Sequence, residues 1–138
     1  MSVECFLDSN VLVYAAARDE RTSSKRRRAL ELIDTAWFGI SAQVLQEFYV
    51  TVTRKLAVPL SPAHAIEWIE ALEAFPCLPV DSTLVKIGTE CSVRFQISYW
   101  DGAILAAAQC LGAPVLFTED LNNGQRYGSV TVRNPFLT

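Results

Sequence analysis

Apolar and polar positions alternate in blocks along this chain, and the block lengths separate strands from helices. Val3 to Leu7, Trp37 to Ile40, Cys77 to Val80, Val115 to Phe117 and Val130 to Val132 are short apolar runs that predict strands. Asn10 to Ala17 predicts a short helix too uniformly apolar for a surface element. Thr22, Ser23 or Ser24 can cap a helix to about Thr35, with Ala29, Leu32, Ile33 and Ala36 on one stripe. Ser41 is placed to cap the next helix, whose stripe is Leu45, Phe48, Val52 and Leu56, and Pro59 stops it. Ser61 and Pro62 form a cap and first-position pair for a helix with an inner face of Ile66, Ile69, Leu72 and Phe75. Ser82 caps a helix to about Phe95. Ser98 caps another, whose small apolar AILAAA core suits close packing on a sheet and which ends at Gly112. Leu121 to Gly128, with two Gly and two Asn, predicts a loop.

Strands alternating with helices predict an α/β domain with a mostly parallel sheet. In open parallel sheets, ligands bind beyond the carboxyl ends of the strands. The first strand ends at Asp8, and the strand Val115 to Phe117 ends at Thr118, Glu119 and Asp120. The second strand leads into the helix that carries Glu47, and the helix after Ser98 carries Asp101 in its first turn. Four carboxylates therefore fall at or near one edge. Gathered like charges raise one another's pKa unless a cation sits among them. Hard oxygen ligands favour Mg²⁺ or Mn²⁺ over zinc. Such an ion can activate water against a phosphodiester.

Each acid also has a purely structural role open to it. Asp8 can cap the helix that follows it. Asp101 completes a capping box, Ser98-Tyr-Trp-Asp101. Asp120 can form a turn, and Glu47 lies roughly opposite its helix stripe, where a solvated residue is ordinary.

Composition narrows the choice. The 138 residues are 51% hydrophobic, which is enough for one packed domain spanning 1–138. No apolar run approaches the roughly 18 residues of a membrane span, and Glu4 and Asp8 interrupt any signal-peptide core. A cytoplasmic protein without a membrane partner is expected. Cys5, Cys77, Cys91 and Cys110 are far apart in apolar surroundings and are expected as buried free thiols. The net charge of −3 argues against a surface that binds nucleic acid throughout. The charge is uneven, however: Lys25, Arg26, Arg27 and Arg28 are consecutive, with Arg18 and Arg21 just before. This stripe is either a phosphate-backbone contact or a solvated helix face, and Arg94 and Arg126 are weaker candidates of the same kind.

Other chemistries lack their parts. His64 is the single histidine, early in a helix, which disfavours a Ser-His-Asp triad. There is neither GxGxxG nor GxxxxGK[ST]. A haloacid-dehalogenase phosphatase needs a second Asp where Asn10 stands. A receiver-type signalling domain needs a phosphoacceptor Asp on a middle strand and a late Lys, and neither is visible.

The stretches FLDSNVLVYA, ISAQVLQEFYVTVTRK, ISYWDGAILAAAQCLGAPVLFTEDLNNGQ and VRNPF span nearly the whole chain. In this order the chain resembles PIN-domain ribonucleases, and more closely the VapC-like toxins of bacterial toxin–antitoxin pairs. The resemblance implies a three-layer PIN-like domain, its mostly parallel sheet flanked by helices. It places the family's four acids on Asp8, Glu47, Asp101 and Asp120, its supporting polar residue on Asn10, and its hydroxyl on Thr118. It implies that these hold Mg²⁺ or Mn²⁺ and activate a water that cuts RNA. Glu119, beside Asp120, can share the fourth role. Gly102 departs from the family's usual Ala and is expected to weaken its helix by roughly 1 kcal/mol. A homodimer and a small antitoxin whose tail blocks the site are also implied. The competing expectation is a PIN-like scaffold without catalysis that acts through protein contacts.

Overall fold

The computed structural model describes residues 2–137. Its strands are β1 (Cys5–Leu7), β2 (Phe38–Ser41), β3 (Cys77–Leu78), β4 (Val115–Phe117), β5 (Arg126–Tyr127) and β6 (Val130–Arg133). Its helices are α1 (Ser9–Ala16), α2 (Ser23–Thr35), α3 (Ala42–Arg54), α4 (Pro62–Leu72), α5 (Ser82–Phe95) and α6 (Tyr99–Cys110). The six strands form one sheet in the order β3-β2-β1-β4-β6-β5. Every pairing is parallel except β5 with β6. Helices α1, α2, α3 and α4 pack on one another, and α5 packs along α6, so two helical groups flank the sheet. The expected α/β domain with a mostly parallel sheet is what forms.

Central strands covered on both faces should be apolar throughout. All three residues of β1 are buried, as are all four of β2. Phe6, Leu7, Phe38, Ile40, Phe48, Leu105 and Leu116 are fully enclosed. Each contributes about 1.5–3 kcal/mol on burial. Chain order reverses at the centre: β1 runs outward to β2 on one side, and β4 joins on the other. The crevice of an open α/β sheet lies at such a switch point, here beyond the ends of β1 and β4.

Several boundaries differ from the sequence pattern, each for a local reason. The first strand is shorter than Val3 to Leu7, because Glu4 takes the N–H of Trp37 with its side chain (2.6 Å). Strand β3 stops at Leu78, since Pro79 has no N–H to donate. The expected loop 121–128 contains β5, which turns back on β6 through Gly128 at φ 61°. Asp81, not Ser82, caps α5 by accepting the N–H of Leu84 (2.9 Å). Thr22 precedes α2 without capping it, and its hydroxyl donates to the Asp19 carbonyl (3.0 Å). Along α4 and just beyond it, Leu72 is enclosed and Ile69 and Phe75 pack against the core as expected, but Ala65 is enclosed in place of Ile66, which is 48% exposed. All four cysteines are free, but Cys77 and Cys110 are exposed, contrary to expectation.

Gly102 also acts differently than expected. A Cβ there would meet the Gly88 carbonyl oxygen at 2.6 Å and the Ser92 nitrogen at 2.8 Å. The missing side chain lets α5 and α6 approach closely, so any loss of helix propensity is exchanged for packing.

Candidate active site

Asp8 follows β1 directly. Its N–H donates to the Phe117 carbonyl (3.1 Å), continuing the β1–β4 ladder by one residue. The carboxylate is 5% exposed. Its Oδ1 accepts the Ser9 N–H (2.7 Å), and its Oδ2 accepts the Thr118 hydroxyl (2.9 Å). Asp8 thus caps α1 as well. Burial pushes its pKa up to about 7; the two hydrogen bonds oppose this, and the charges of Glu47 and Asp120 add to it.

Thr118, fully buried at the end of β4, ties the crevice together. Its hydroxyl proton goes to Asp8, so its oxygen can only accept from its other neighbours. It accepts from Asn10 Nδ2 (3.0 Å) and from the Asp120 N–H (3.1 Å). Asn10 Nδ2 also donates to Asp120 Oδ2 (3.2 Å). This fixes the orientation of the Asn10 amide. Its Oδ1 is left buried with no protein partner among the described residues.

Glu47 is half-buried on α3. Burial raises its pKa first, hydrogen bonds from Ser9 and Gln43 lower it, and the charges of Asp120 and Asp101 raise it. Asp101 sits in the first turn of α6, where Ser98 Oγ accepts its N–H (3.1 Å). Burial raises its pKa, the Ser98 hydroxyl hydrogen bond lowers it, and Asp120 raises it. The charge of Asp120 therefore reaches all three other acids. Asp8 after β1, Glu47 on α3, Asp101 on α6 and Asp120 after β4 thus stand near enough for their charges to act on one another.

Glu119 is turned elsewhere. Its Oε1 accepts the Tyr14 hydroxyl (2.7 Å), and its Oε2 pairs with Lys25 Nζ (3.0 Å). The same ammonium donates to the Tyr14 oxygen (3.2 Å) and lies over the Tyr14 ring, 4.7 Å from its centroid. The basic stripe is accordingly divided. Lys25 is committed to this anchor. Arg28 reaches the Pro135 carbonyl (3.2 Å) and Glu31 (3.1 Å), while Arg26 and Arg27 are exposed, Arg26 with one long bond to the Ala15 carbonyl (3.4 Å). His64 lies in the first turn of α4, and its N–H is taken by the Ser61 cap (3.1 Å).

Ser9, Gln43 and Tyr14 escaped sequence reasoning. Tyr14 holds Glu119, and Ser9 and Gln43 stand beside Glu47, where they lower its pKa. Tyr14 left one trace, since it stands one helical turn after Asn10 on an otherwise apolar helix.

The donors around the crevice are all oxygen. Among the described residues, no group of three or more acidic, histidine or cysteine side chains is gathered closely enough to hold a metal ion by itself. Mg²⁺ retains several waters and takes only one or two carboxylates directly, so an open set suits it. The unpartnered Asn10 oxygen is a further hard acceptor. The residues fit a hydrated divalent cation.

A parallel α/β sheet with an acidic crevice at its switch point defines the class, and residues 5–126 match the PIN domain family. The chain belongs to that family. Its fold is shared with Mycobacterium tuberculosis VapC20, a sarcin-ricin loop cleaving toxin, at 20% identity and a TM-score of 0.66, over 84% of this chain and 91% of that one. It is shared with a toxin–antitoxin complex from Klebsiella pneumoniae at 18% identity and a TM-score of 0.67, over 95% and 97%. It is shared too with DNA-bound VapBC from Salmonella typhimurium at 17% identity and a TM-score of 0.64, over 98% and 99%. No curated protein sequence is a significant match.

Proposed function

We propose that this PIN domain is a metal-dependent endoribonuclease that hydrolyses RNA phosphodiester bonds, and that it is the toxin of a toxin–antitoxin pair. One observation carries the activity. Four carboxylates from separate elements act on one another's charge, beside a buried Asn10 amide oxygen that has no hydrogen-bond partner among the described residues.

Asp8, Glu47, Asp101 and Asp120 are the residues that hold Mg²⁺ or Mn²⁺. When bound, the ion neutralises the carboxylates, polarises the phosphodiester and activates the attacking water. The chain's own groups set the geometry. Thr118 fixes Asp8, and Asn10 links Thr118 to Asp120. The Tyr14–Lys25 anchor on Glu119 supports Asp120 as the fourth ligand, because it occupies both Glu119 oxygens. Exposed Arg26 and Arg27 are suited to RNA backbone contacts, whereas Lys25 acts within the fold. The fold neighbours support the toxin role and an antitoxin partner; a homodimer is part of the same proposal. No helix among the described residues is long and apolar enough to cross a membrane.

The test is cleavage of structured RNAs by antitoxin-free protein with Mg²⁺ or Mn²⁺. Cleavage that EDTA abolishes and Asp8→Asn eliminates is expected. An inert protein, or an Asp8→Asn variant that cuts equally well, refutes the proposal.

A further inference from the structure

A groove of about 450 Å³ opens beside the acidic crevice, between α3 and the start of α6. It shares Glu47 with the crevice and continues past Gln46, Val50 and Thr51 to Lys55, with Trp100 forming the opposite wall. Trp100 is the residue before Asp101 and is 63% exposed. Nothing in the core explains a large aromatic side chain left in water at this point. Its surroundings hold it in a defined position. Its ring meets Tyr99 edge-on (5.1 Å between centroids, 75°), and its carbonyl accepts from Gln43 Nε2 (3.4 Å).

The chemistry of the lining selects an occupant. An apolar plug would leave the amide of Gln46 and the hydroxyl of Thr51 without partners, a cost that burial does not return. An acidic peptide brings charge for Lys55 but no flat π face for the Trp100 indole. A nucleotide carries both features the groove offers to fill: a flat π face for the indole and an anionic phosphate for an ammonium. Lys55 is the single cation among the lining residues and makes no ion pair among the described residues. It lies eight positions beyond Glu47, about 12 Å along the helix axis, so it can reach a phosphate next to the one at the acids rather than the same one. The volume falls in the ordinary range for small-ligand sites, about 300–1,000 Å³.

We infer that this groove seats one unstacked nucleotide of single-stranded RNA, its base on the Trp100 indole and its phosphate toward Lys55. This rests on the ribonuclease reading of the neighbouring acids and adds a base-stacking subsite beside them, built from Trp100 and Lys55. Bases in an A-form duplex are stacked and their major-groove edges out of reach, whereas loops and single strands can present a base to an aromatic side chain. Stacking tolerates any base. The groove therefore selects for strand state and not for sequence.

The test measures binding of a fluorescently labelled RNA single strand, and of the perfect duplex of the same sequence, by anisotropy. Asp8→Asn protein is used so that cleavage does not intervene. The single strand is expected to bind at least tenfold tighter than the duplex. Adding Trp100→Ala should weaken single-strand binding about tenfold, within the span measured for one stacked base, and Trp100→Phe should restore most of it. Lys55→Gln should lower the slope of affinity against salt by about one phosphate contact. Both side chains are exposed, so folding is expected to survive each change. Equal binding of single strand and duplex, or unchanged affinity in Trp100→Ala, overturns the inference. The ribonuclease reading fails separately: wild-type protein that cuts no RNA, while Trp100-dependent binding persists, refutes the catalytic assignment and leaves the groove intact.

Discussion

Replacing Asp8 with Asn keeps the size of the side chain and removes its charge. In the metal-free protein that charge is costly. The folded-state pKa of about 7 stands well above the ordinary aspartate value of 3.8. An acid with a raised folded pKa favours folding when protonated, and this advantage is lost as pH rises through the folded value. At pH 8 the ionised carboxylate opposes folding by about 4 kcal/mol, and at pH 5 by somewhat under 2 kcal/mol. Asn gives up one of the two accepted hydrogen bonds and presents an N–H₂ where the Thr118 proton pointed, an offset of about 1–2 kcal/mol. Asp8→Asn should therefore be more stable than wild type by about 3 kcal/mol at pH 8 and close to equal at pH 5. Urea denaturation with EDTA present, at both pH values, measures this directly. The same stability difference at pH 5 and pH 8, or a variant less stable than wild type at pH 8, would refute the reasoning that burial and repulsion strain this site.

Other outcomes follow from the same geometry. Saturating Mn²⁺ should raise the melting temperature of wild type, with about 2.7 kcal/mol gained at a hundred times Kd, and should raise that of Asp8→Asn far less; equal shifts in calorimetry would remove Asp8 from the ligand set. In RNA cleavage assays Asp120→Asn should lose more than a hundredfold in rate, whereas Glu119→Gln should lose about tenfold, as supporting residues do; the reverse order would reassign the fourth ligand. Gly102→Ala should destabilise by about 1–3 kcal/mol through overpacking against α5, although Ala is the better helix former by about 1 kcal/mol. A stabilised variant in thermal unfolding would contradict the close approach. Arg27→Gln should reduce the salt dependence of RNA binding, while Lys25→Gln should act chiefly through stability and the placement of Asp120; equal salt slopes for wild type and Arg27→Gln would return Arg27 to the solvated face.

The α/β class was legible in the chain because buried parallel strands require uninterrupted apolar runs, as in Cys5–Leu7 and Val115–Phe117, and helices require caps, as at Ser41, Ser61 and Ser98. Local order suggests one edge for three of the proposed acids, since Asp8 and Asp120 stand just after strands and Asp101 in the first turn of a helix, whereas Glu47 lies midway along α3. Ile66 was misplaced because helix periodicity names a stripe but not which of two adjacent stripes meets the core.

Tertiary structure decided the rest. Asp8 and Thr118 are 110 residues apart and hydrogen-bond only because β1 and β4 pair in parallel register at the switch point. Whether Glu119 or Asp120 enters the crevice depended on Tyr14 and Lys25, which reach the segment after β4 from two other helices. The groove between Trp100 and Lys55 joins residues from α3 and α6 that share no sequence pattern. Local pattern is set by near neighbours and the solvent. A site is set by which distant surfaces the sheet brings into register, and no spacing along the chain encodes that distance.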